Sequence, residues 1–321
     1  MNEEDIFKKR IGFKGTLSDI GIEICKEYSF GIYVSSELAK IGYEDFNFSL
    51  CTTKGKFFVK VFASFRSLAD CKGYCGRIES ALKQGVQTPK IIKSKKGLVN
   101  TVSVNGKKLR LVVMDFIEGK SLFDSKSNLT ESEVKSLAKQ AARISLIKTK
   151  PRFVYDSWSI DNFAREFKKK RKFLPKRDLE LIEPIVEEFC ALKTNKLPRA
   201  FVHGDLIKTN IIKDEGGKLW LIDFSVSNYS PRINELAILC CNSFFVPTSK
   251  AKTKKNIVIA LSEYQKIVSL TKRELTALPV LIKVAYSIYV LMPLFAKHKG
   301  NKTKENEYWL KQGRAGLYQK W

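Results

Sequence analysis

The first third of the chain alternates hydrophobic and polar positions in the manner of short β-strands. Residues 46–53 and 56–62 are rich in aromatic and branched side chains and flank a turn at Lys54 and Gly55, which predicts a β-hairpin. Pro89 introduces a further predicted strand that ends near residue 92, and residues 109–114 read as a buried strand. The pattern therefore predicts a small sheet before residue 118.

After residue 119 the apolar positions follow a helical period. Residues 131–148 place apolar side chains on one helix face, behind a capping box formed by Thr130 and Glu133. Further helices are predicted in this half over residues 163–173, 178–192 and 231–239. One more is predicted in the first part of the chain, over residues 70–84.

One apolar segment, residues 278–296, is about as long as a membrane span. It contains Pro279, Lys283 and Pro293, which are unusual in a segment that crosses lipid. We therefore expect a buried core helix and no membrane span.

A short polar motif around residue 205 carries the clearest chemistry. Asn210 follows Asp205 by five residues, and Asp223 follows Asn210 by thirteen, on the far side of a predicted hairpin with a turn at residues 214–217. The hairpin returns Asn210 and Asp223 to one end, where their oxygens suit Mg²⁺ with nucleotide phosphates as further ligands. Asp205 lies just ahead and is placed to accept a hydroxyl proton, so the motif predicts phosphoryl transfer.

Composition narrows the class of protein. The net charge is +25, but lysines outnumber arginines and are spread along helices and loops without interleaved aromatic residues, so we expect no specific nucleic-acid partner. The alternative, a basic surface that attracts anions, stays open. The 7 cysteines are odd in number and show no paired Cys-x-x-Cys motifs, and the chain starts with an acidic segment, which predicts a reduced, cytoplasmic protein without a signal peptide.

The sequence His203-Gly204-Asp205 with Asn210, followed by Ile222-Asp223-Phe224, resembles the aminoglycoside phosphotransferase and choline kinase family. Protein kinases have Arg at the position of Gly204 and Gly at that of Ser225. The resemblance implies an α+β, bilobal, protein-kinase-like fold, with a small antiparallel-sheet N-lobe and a larger, mainly helical C-lobe. The nucleotide-binding lobe would cover residues 1–118, and the catalytic and substrate-binding lobe residues 119–321.

The same resemblance implies ATP-binding residues in the N-lobe. Lys60 lies inside an apolar strand and needs a partner; in the family it holds the ATP α- and β-phosphates and pairs with a helix glutamate, here Glu79. The phosphate-covering loop lacks Gly-x-Gly-x-x-Gly, and Gly42 and Asn47 are its candidate contacts. Backbone groups of the connector Asp115, Phe116 and Ile117 would bind adenine.

In the C-lobe, Asp205, Asn210, Asp223 and Lys208 are the candidate catalytic residues, with Asn210 and Asp223 as metal ligands. Lys208 is expected to reach the γ-phosphate. His203 is expected to brace the loop, and relatives carry an acid at the position of Glu235 that braces the loop or lies near the substrate.

Within the family, the layout most resembles type II homoserine kinases, although residues 146–148 lack the His that relatives carry there. We therefore expect Mg²⁺ and ATP as cofactors and transfer to a hydroxyl of a small acceptor: an amino alcohol such as homoserine or choline, a sugar or an aminoglycoside. One alternative is a pseudokinase scaffold, which would keep such a fold without turnover. The presence of Lys60, Asp205, Asn210 and Asp223 together argues against it. A protein kinase is the other alternative. Glu235 follows Asp223 by only twelve positions, which leaves little room for peptide docking.

Overall fold

A computed structural model describes residues 8–39 and 45–319 of the chain. The chain divides into two compact units. The first unit comprises Met1–Lys83 and Thr88–Glu118, and the second comprises Gln84–Gln87 and Gly119–Trp321.

The first unit contains an antiparallel sheet and helices. Its helices include α1 (Leu17–Tyr28) and α2 (Leu68–Lys83), and the strands are β1 (Tyr33–Leu38), β2 (Phe46–Thr52), β3 (Gly55–Val61), β4 (Ile91–Ile92), β5 (Asn100–Val104) and β6 (Lys107–Asp115). The strand order is β1-β2-β3-β6-β4, and β5 pairs with β6. The predicted β2–β3 hairpin is confirmed, whereas the strand predicted to end near residue 92 is reduced to β4.

The two faces of this sheet differ in character. Phe46 and Phe48 on β2 and Val59 and Val61 on β3 are buried in one hydrophobic core with the apolar side of α1. Side chains alternate along a strand, so the intervening Asn47 and Lys60, which pair across β2 and β3, share the opposite face. There the ammonium of Lys60 lies 5.1 Å from the ring centroid of Tyr74 on α2.

The second unit is mainly helical with two small sheets. Its strands are β7 (Gly119–Ser121), β8 (Arg199–Val202), β9 (Ile211–Asp214), β10 (Leu219–Leu221) and β11 (Asn228–Pro231). They form the sheets β10-β9-β7 and β11-β8. The helices are α3 (Leu122–Ser125), α4 (Glu131–Ile144), α5 (Phe163–Lys170), α6 (Lys176–Ala191), α7 (Ile233–Cys241), α8 (Lys250–Gln265), α9 (Lys272–His298) and α10 (Lys304–Tyr318).

Helix α9 is the centre of the second unit. It is the one described helix that is long and apolar enough to cross a membrane, and 78% of its most apolar stretch is buried inside the protein. It packs against α6, α7 and α10. This burial agrees with the core helix predicted for residues 278–296. Pro279 and Pro293 lie within the helix.

Helix ends differ slightly from the sequence prediction. The capping box of Thr130 and Glu133 opens α4 as predicted, but α4 ends at Ile144 because the next residues form a tighter turn, with Leu146 N donating to Arg143 O. The helix predicted over residues 163–173 is α5 followed by a 3₁₀ turn at Arg171–Phe173.

Candidate active site

Two backbone segments bring the predicted catalytic residues of the second unit together. The loop after β8 carries Asp205 and leads into a 3₁₀ turn that ends at Asn210, and Ile222 N, after β10, donates to Asn210 O at 3.0 Å. The Asn210 Nδ2 atom donates to Asp205 Oδ2 at 2.7 Å and to Asp205 O at 3.1 Å. The amide therefore orients the carboxylate and leaves Asn210 Oδ1 without a hydrogen bond to any described residue.

Gly204 has a conformational reason to be glycine. Its φ is +85°, in the left-handed region, and a Cβ atom there would lie 3.3 Å from Val226 O. A larger residue would be strained at this position. The close approach of residue 226 accounts for Gly where protein kinases have Arg.

His203 connects the loop to the segment that carries Asp223. Asp205 N donates to His203 Nδ1 at 3.2 Å, so the ring proton is on Nε2, which lies 3.1 Å from Ile222 O and donates to it. Burial lowers the pKa of His203 to about 4, so the ring is neutral. The hydrogen bonds of His203 fix the loop relative to the residue before Asp223, which is the bracing arrangement expected of it.

Glu235 on α7 binds the backbone of the same loop. Its fully buried carboxylate accepts hydrogen bonds from His203 N at 3.0 Å and Gly204 N at 2.8 Å. Burial raises the pKa of Glu235 to about 7, while these two backbone donors oppose the shift. Of the two expectations for Glu235, the geometry corresponds to bracing the loop.

Asp205 has the electrostatic environment of a proton acceptor. Burial and the nearby carboxylates of Asp156 and Asp223 raise its pKa well above the ordinary range, and the hydrogen bond from Asn210 opposes this. Asp205 Oδ1 accepts no hydrogen bond from any described residue. Asp156 was not a sequence-based candidate, because only the folded chain brings it near Asp205.

Asp223 adopts a backbone conformation that is rare for a residue with a side chain. Its φ is +62°, and its Oδ1 atom accepts a hydrogen bond from Ser225 N at 3.3 Å and another from the Ser225 hydroxyl. Non-glycine residues in this region are costly and cluster at functional sites. The positive φ therefore marks Asp223 as a candidate functional residue on an observation that is separate from the sequence motif.

The donor set around Asp223 fits Mg²⁺. Asp156 and Asp223 are each close enough to Asp205 for like-charge repulsion, which a divalent cation relieves, and Asn210 adds an amide oxygen. No group of three or more His, Cys, Asp or Glu arranged to hold a metal occurs within residues 8–39 and 45–319. Two protein ligands suit a metal that also binds phosphate oxygens.

Lys208 points its ammonium group at α10. Its Nζ atom donates to Tyr308 Oη at 3.2 Å, and its backbone N donates to Asn242 Oδ1 at 2.9 Å. Burial lowers the pKa of Lys208. Neither Tyr308 nor Asn242 was a sequence-based candidate, because each is distant in sequence and lies in no motif.

In the first unit, Lys60 forms an ion pair with Asp45. Lys60 Nζ lies 3.3 Å from Asp45 Oδ2, and both side chains are buried. Asp45 Oδ1 accepts from Ala63 N at 3.0 Å and from Arg66 Nε at 2.8 Å. The prediction that Glu79 pairs with Lys60 is therefore corrected: Glu79 is exposed, because the buried positions of α2 fall on another side of the helix.

The remaining ATP-binding candidates are Gly42, Asn47 and the connector residues 115–117. Asn47 lies opposite Lys60, and its buried Oδ1 atom has no hydrogen-bond partner among the described residues. Gly42 lies outside the described residues. Asp115 N donates to Lys90 O at 3.0 Å, and the ring centroid of Phe116 lies 3.9 Å from Lys56 Nζ. The backbone N–H of Asp115 is thus engaged, so a contact of Asp115 with adenine would use its carbonyl oxygen.

Solved structures with the same fold come from small-molecule kinases. An amicoumacin kinase is 16% identical, with a TM-score of 0.69 over 99% of this chain and 96% of that chain. A spectinomycin phosphotransferase is 15% identical, with a TM-score of 0.65 over 92% and 96% of the two chains. A choline kinase from Streptococcus pneumoniae is 16% identical, with a TM-score of 0.60 over 94% and 98%. These similarities confirm the predicted α+β, protein-kinase-like fold.

A family model described as "Phosphotransferase enzyme family" (APH) matches residues 37–266. The match includes both Lys60 and the segment from His203 to Glu235. It covers most of the chain, and it agrees with the resemblance carried by the catalytic loop. The chain belongs to this phosphotransferase family and is an enzyme of the small-molecule kinase class.

Proposed function

We propose that the protein transfers the γ-phosphoryl group of Mg-ATP to a hydroxyl group of a small molecule. The observation that carries this proposal is the arrangement of Asp205, Asn210 and Asp223, in which the Asn210 amide orients the Asp205 carboxylate at 2.7 Å. One proton acceptor beside two oxygen donors for a metal is the set of groups that in-line phosphoryl transfer uses, and this supports the proposal.

Asp205 orients the acceptor hydroxyl and takes its proton. Its Oδ2 atom is held by Asn210, so Oδ1 is the oxygen that meets the hydroxyl. Burial, the largest cause of the raised pKa of Asp205, makes its carboxylate a better proton acceptor. The transition state of phosphoryl transfer is loose, so the proton moves late and the main contribution of Asp205 is orientation.

Asn210 through Oδ1 and Asp223 through its carboxylate would hold Mg²⁺. A metal bound there neutralises charge on the phosphate oxygens. His203 and Glu235 keep these ligands in place through hydrogen bonds to the backbone, and the Ser225 hydroxyl orients the carboxylate of Asp223. The protein thus supplies a preorganised site rather than a covalent intermediate.

Lys60 and Asn47 are the proposed phosphate contacts of the first unit. Lys60 is buried beside Asp45 and Tyr74, and the Asn47 side chain opposite it has an unsatisfied polar atom. A buried polar atom without a partner is costly, and a polar ligand removes that cost. These observations support nucleotide binding, with Ile117 and its neighbours as the proposed adenine contacts.

The ligands bound in similar structures support the proposed nucleotide and the proposed class of acceptor. The amicoumacin kinase was solved with AMP-PNP and Ca²⁺, and the spectinomycin phosphotransferase with ADP and spectinomycin. A microcompartment-associated aminopropanol kinase shares the fold, with a TM-score of 0.65. A hydroxylated small molecule is therefore the proposed acceptor, and a cytoplasmic location agrees with a need for ATP.

An ATP-consumption screen tests the proposed function. The purified chain with Mg-ATP is offered amino alcohols, hydroxy acids, sugars, nucleosides and aminoglycosides, and ADP formation is followed with and without each acceptor. We expect acceptor-dependent ADP formation and a phosphorylated product by mass spectrometry. A protein that neither binds Mg-ATP nor phosphorylates any acceptor class contradicts the proposal.

A further inference from the structure

Lys208 is half-buried, and its ammonium group has no acidic partner among the residues that the structure describes. Its hydrogen bond goes to the neutral Tyr308 hydroxyl, and it lies 5.9 Å from the centroid of that ring. Within the described part of the chain, no Asp or Glu forms an ion pair with Lys208. A partly buried lysine normally has an acidic partner. An anionic ligand would supply such a partner to Lys208.

The position of Lys208 is fixed by a hydrogen-bond network. Its backbone N–H is held by Asn242, whose Nδ2 atom donates to Tyr289 Oη at 2.7 Å. Asn242 is fully buried, and Tyr289 is 6% exposed. Tyr289 is also close enough to Asp205 to interact with its charge. One network therefore connects the unpaired lysine with the proposed base.

Aromatic rings surround this network. Tyr308 packs against Phe123 and Trp309 with centroids 4.9 Å away in each case, and Trp309 packs against Tyr289 at 5.3 Å. Trp158, which is 36% exposed, lies 6.4 Å from Tyr289. Apolar rings with a few fixed polar groups are the usual lining of a small-molecule site.

We propose that Lys208 and Tyr308 bind an anionic group of the phosphoryl acceptor, a carboxylate or a phosphate ester. The Tyr308 hydroxyl accepts from the ammonium and keeps its own hydrogen for the ligand, so both side chains donate to one oxyanion. The acceptor is then a hydroxy acid, a hydroxy amino acid or a hydroxylated phosphate ester. This inference rests on the proposed function, because it names the acceptor class for the same site.

An oxyanion at Lys208 has two conceivable sources, the acceptor and the ATP γ-phosphate. The γ-phosphoryl group must lie near the proposed metal ligands Asn210 and Asp223. The described bonds of the Lys208 side chain lead instead to α10, through Tyr308, and to the aromatic rings around it. This direction assigns the site to the acceptor.

The kinetic test compares acceptors that differ only by a carboxylate: homoserine against 3-aminopropanol, and serine against ethanolamine. We expect the wild-type enzyme to have the higher kcat/KM for the carboxylate-bearing member of a pair. Lys208→Met should reduce that ratio by ~10–100-fold, the size of one lost hydrogen bond between charged groups. Lys218→Met, an exposed lysine over Trp220, is the matched control and should keep the wild-type ratio.

A binding test is independent of which acceptor is used. The protein is saturated with Mg-AMP-PNP, so that the γ-phosphate position is filled, and inorganic phosphate is titrated while tryptophan fluorescence is recorded. Trp309 beside Tyr308 is the expected reporter. We expect saturable binding in the wild type and in Lys218→Met, and its loss in Lys208→Met.

Several results overturn the inference. The first is a wild-type preference for the carboxylate-free acceptors. The second is an equal loss of kcat/KM with both members of a pair in Lys208→Met, together with a raised KM for ATP. The third is the absence of saturable phosphate binding to the wild-type protein. The second result assigns Lys208 to the nucleotide. In each case transfer from Mg-ATP to some acceptor still supports the proposed function, whereas absence of Mg-ATP binding and of all transfer contradicts the proposed function itself.

Discussion

Replacement of Asp45 by Asn tests how Lys60 is held in the first unit. The change preserves the shape of the side chain and an oxygen for the Ala63 N–H. It removes the negative charge that lies 3.3 Å from Lys60 Nζ and 2.8 Å from Arg66 Nε. Glu79→Gln is the matched control, because it neutralises an exposed carboxylate on α2.

The expected loss of stability in Asp45→Asn follows from the distance between Lys60 and Asp45 and from the burial of both side chains. Two unit charges 3.3 Å apart interact by about 5 kcal/mol at an effective dielectric constant of about 20. Removal of one member of a buried pair costs about 3–5 kcal/mol, because the charge that stays buried is compensated less well. We expect Asp45→Asn to lower the local free energy of unfolding by that amount, and Glu79→Gln to change it by less than about 0.5 kcal/mol.

Native-state hydrogen exchange is the suitable assay, because two units need not unfold in one step. The Ala63 amide and the amides of β2 and β3 report directly on this part of the sheet. Unchanged protection in Asp45→Asn would refute the reasoning, and so would a larger loss in Glu79→Gln.

Three further predictions concern the proposed nucleotide and metal contacts and the net charge. Lys60→Met should lower turnover by ~10²–10³-fold, as expected for loss of one preorganised electrostatic contact, while circular dichroism stays that of the wild type; near-normal activity contradicts the role of Lys60. Asp223→Ala should remove the Mg²⁺ dependence of ATP binding measured by calorimetry, with Asp214→Asn in the same hairpin as control, and unchanged Mg-ATP affinity would show that Asp223 is not a ligand. Duplex DNA or RNA should bind weakly and with a steep salt dependence despite the net charge of +25; tight, sequence-selective binding at physiological salt is the opposing result.

The sequence predicts those parts of the site that are local in the chain. Asp205, Asn210 and Asp223 lie within one loop and one hairpin, so turn residues and strand patterns suffice to bring Asn210 and Asp223 to the same end. The strand alternation that buries Lys60 is also local. For the same reason the β2–β3 hairpin and the start of α4 are predicted closely.

Contacts between distant segments are harder to predict. Burial of Lys60 indicates that a partner exists but not which one, and Asp45 precedes a strand in no recognisable motif. The helical period of α2 gives a usable signal, since its buried positions exclude Glu79. The contact of Lys208 with Tyr308 spans 100 residues and leaves no local pattern, and the positive φ of Asp223 depends on the packed loop.

Substitution of Asp205 by Asn tests the central claim most directly. Asp205 is not needed to hold ATP, so Asp205→Asn should bind Mg-ATP with wild-type affinity by calorimetry and yet lose ~10²–10⁴-fold in acceptor-dependent phosphorylation. Asp214→Asn should retain both properties, because the Asp214 carboxylate accepts hydrogen bonds from the β9–β10 turn and from Trp220. Retention of more than roughly a tenth of the wild-type transfer rate by Asp205→Asn would contradict its assignment as the base.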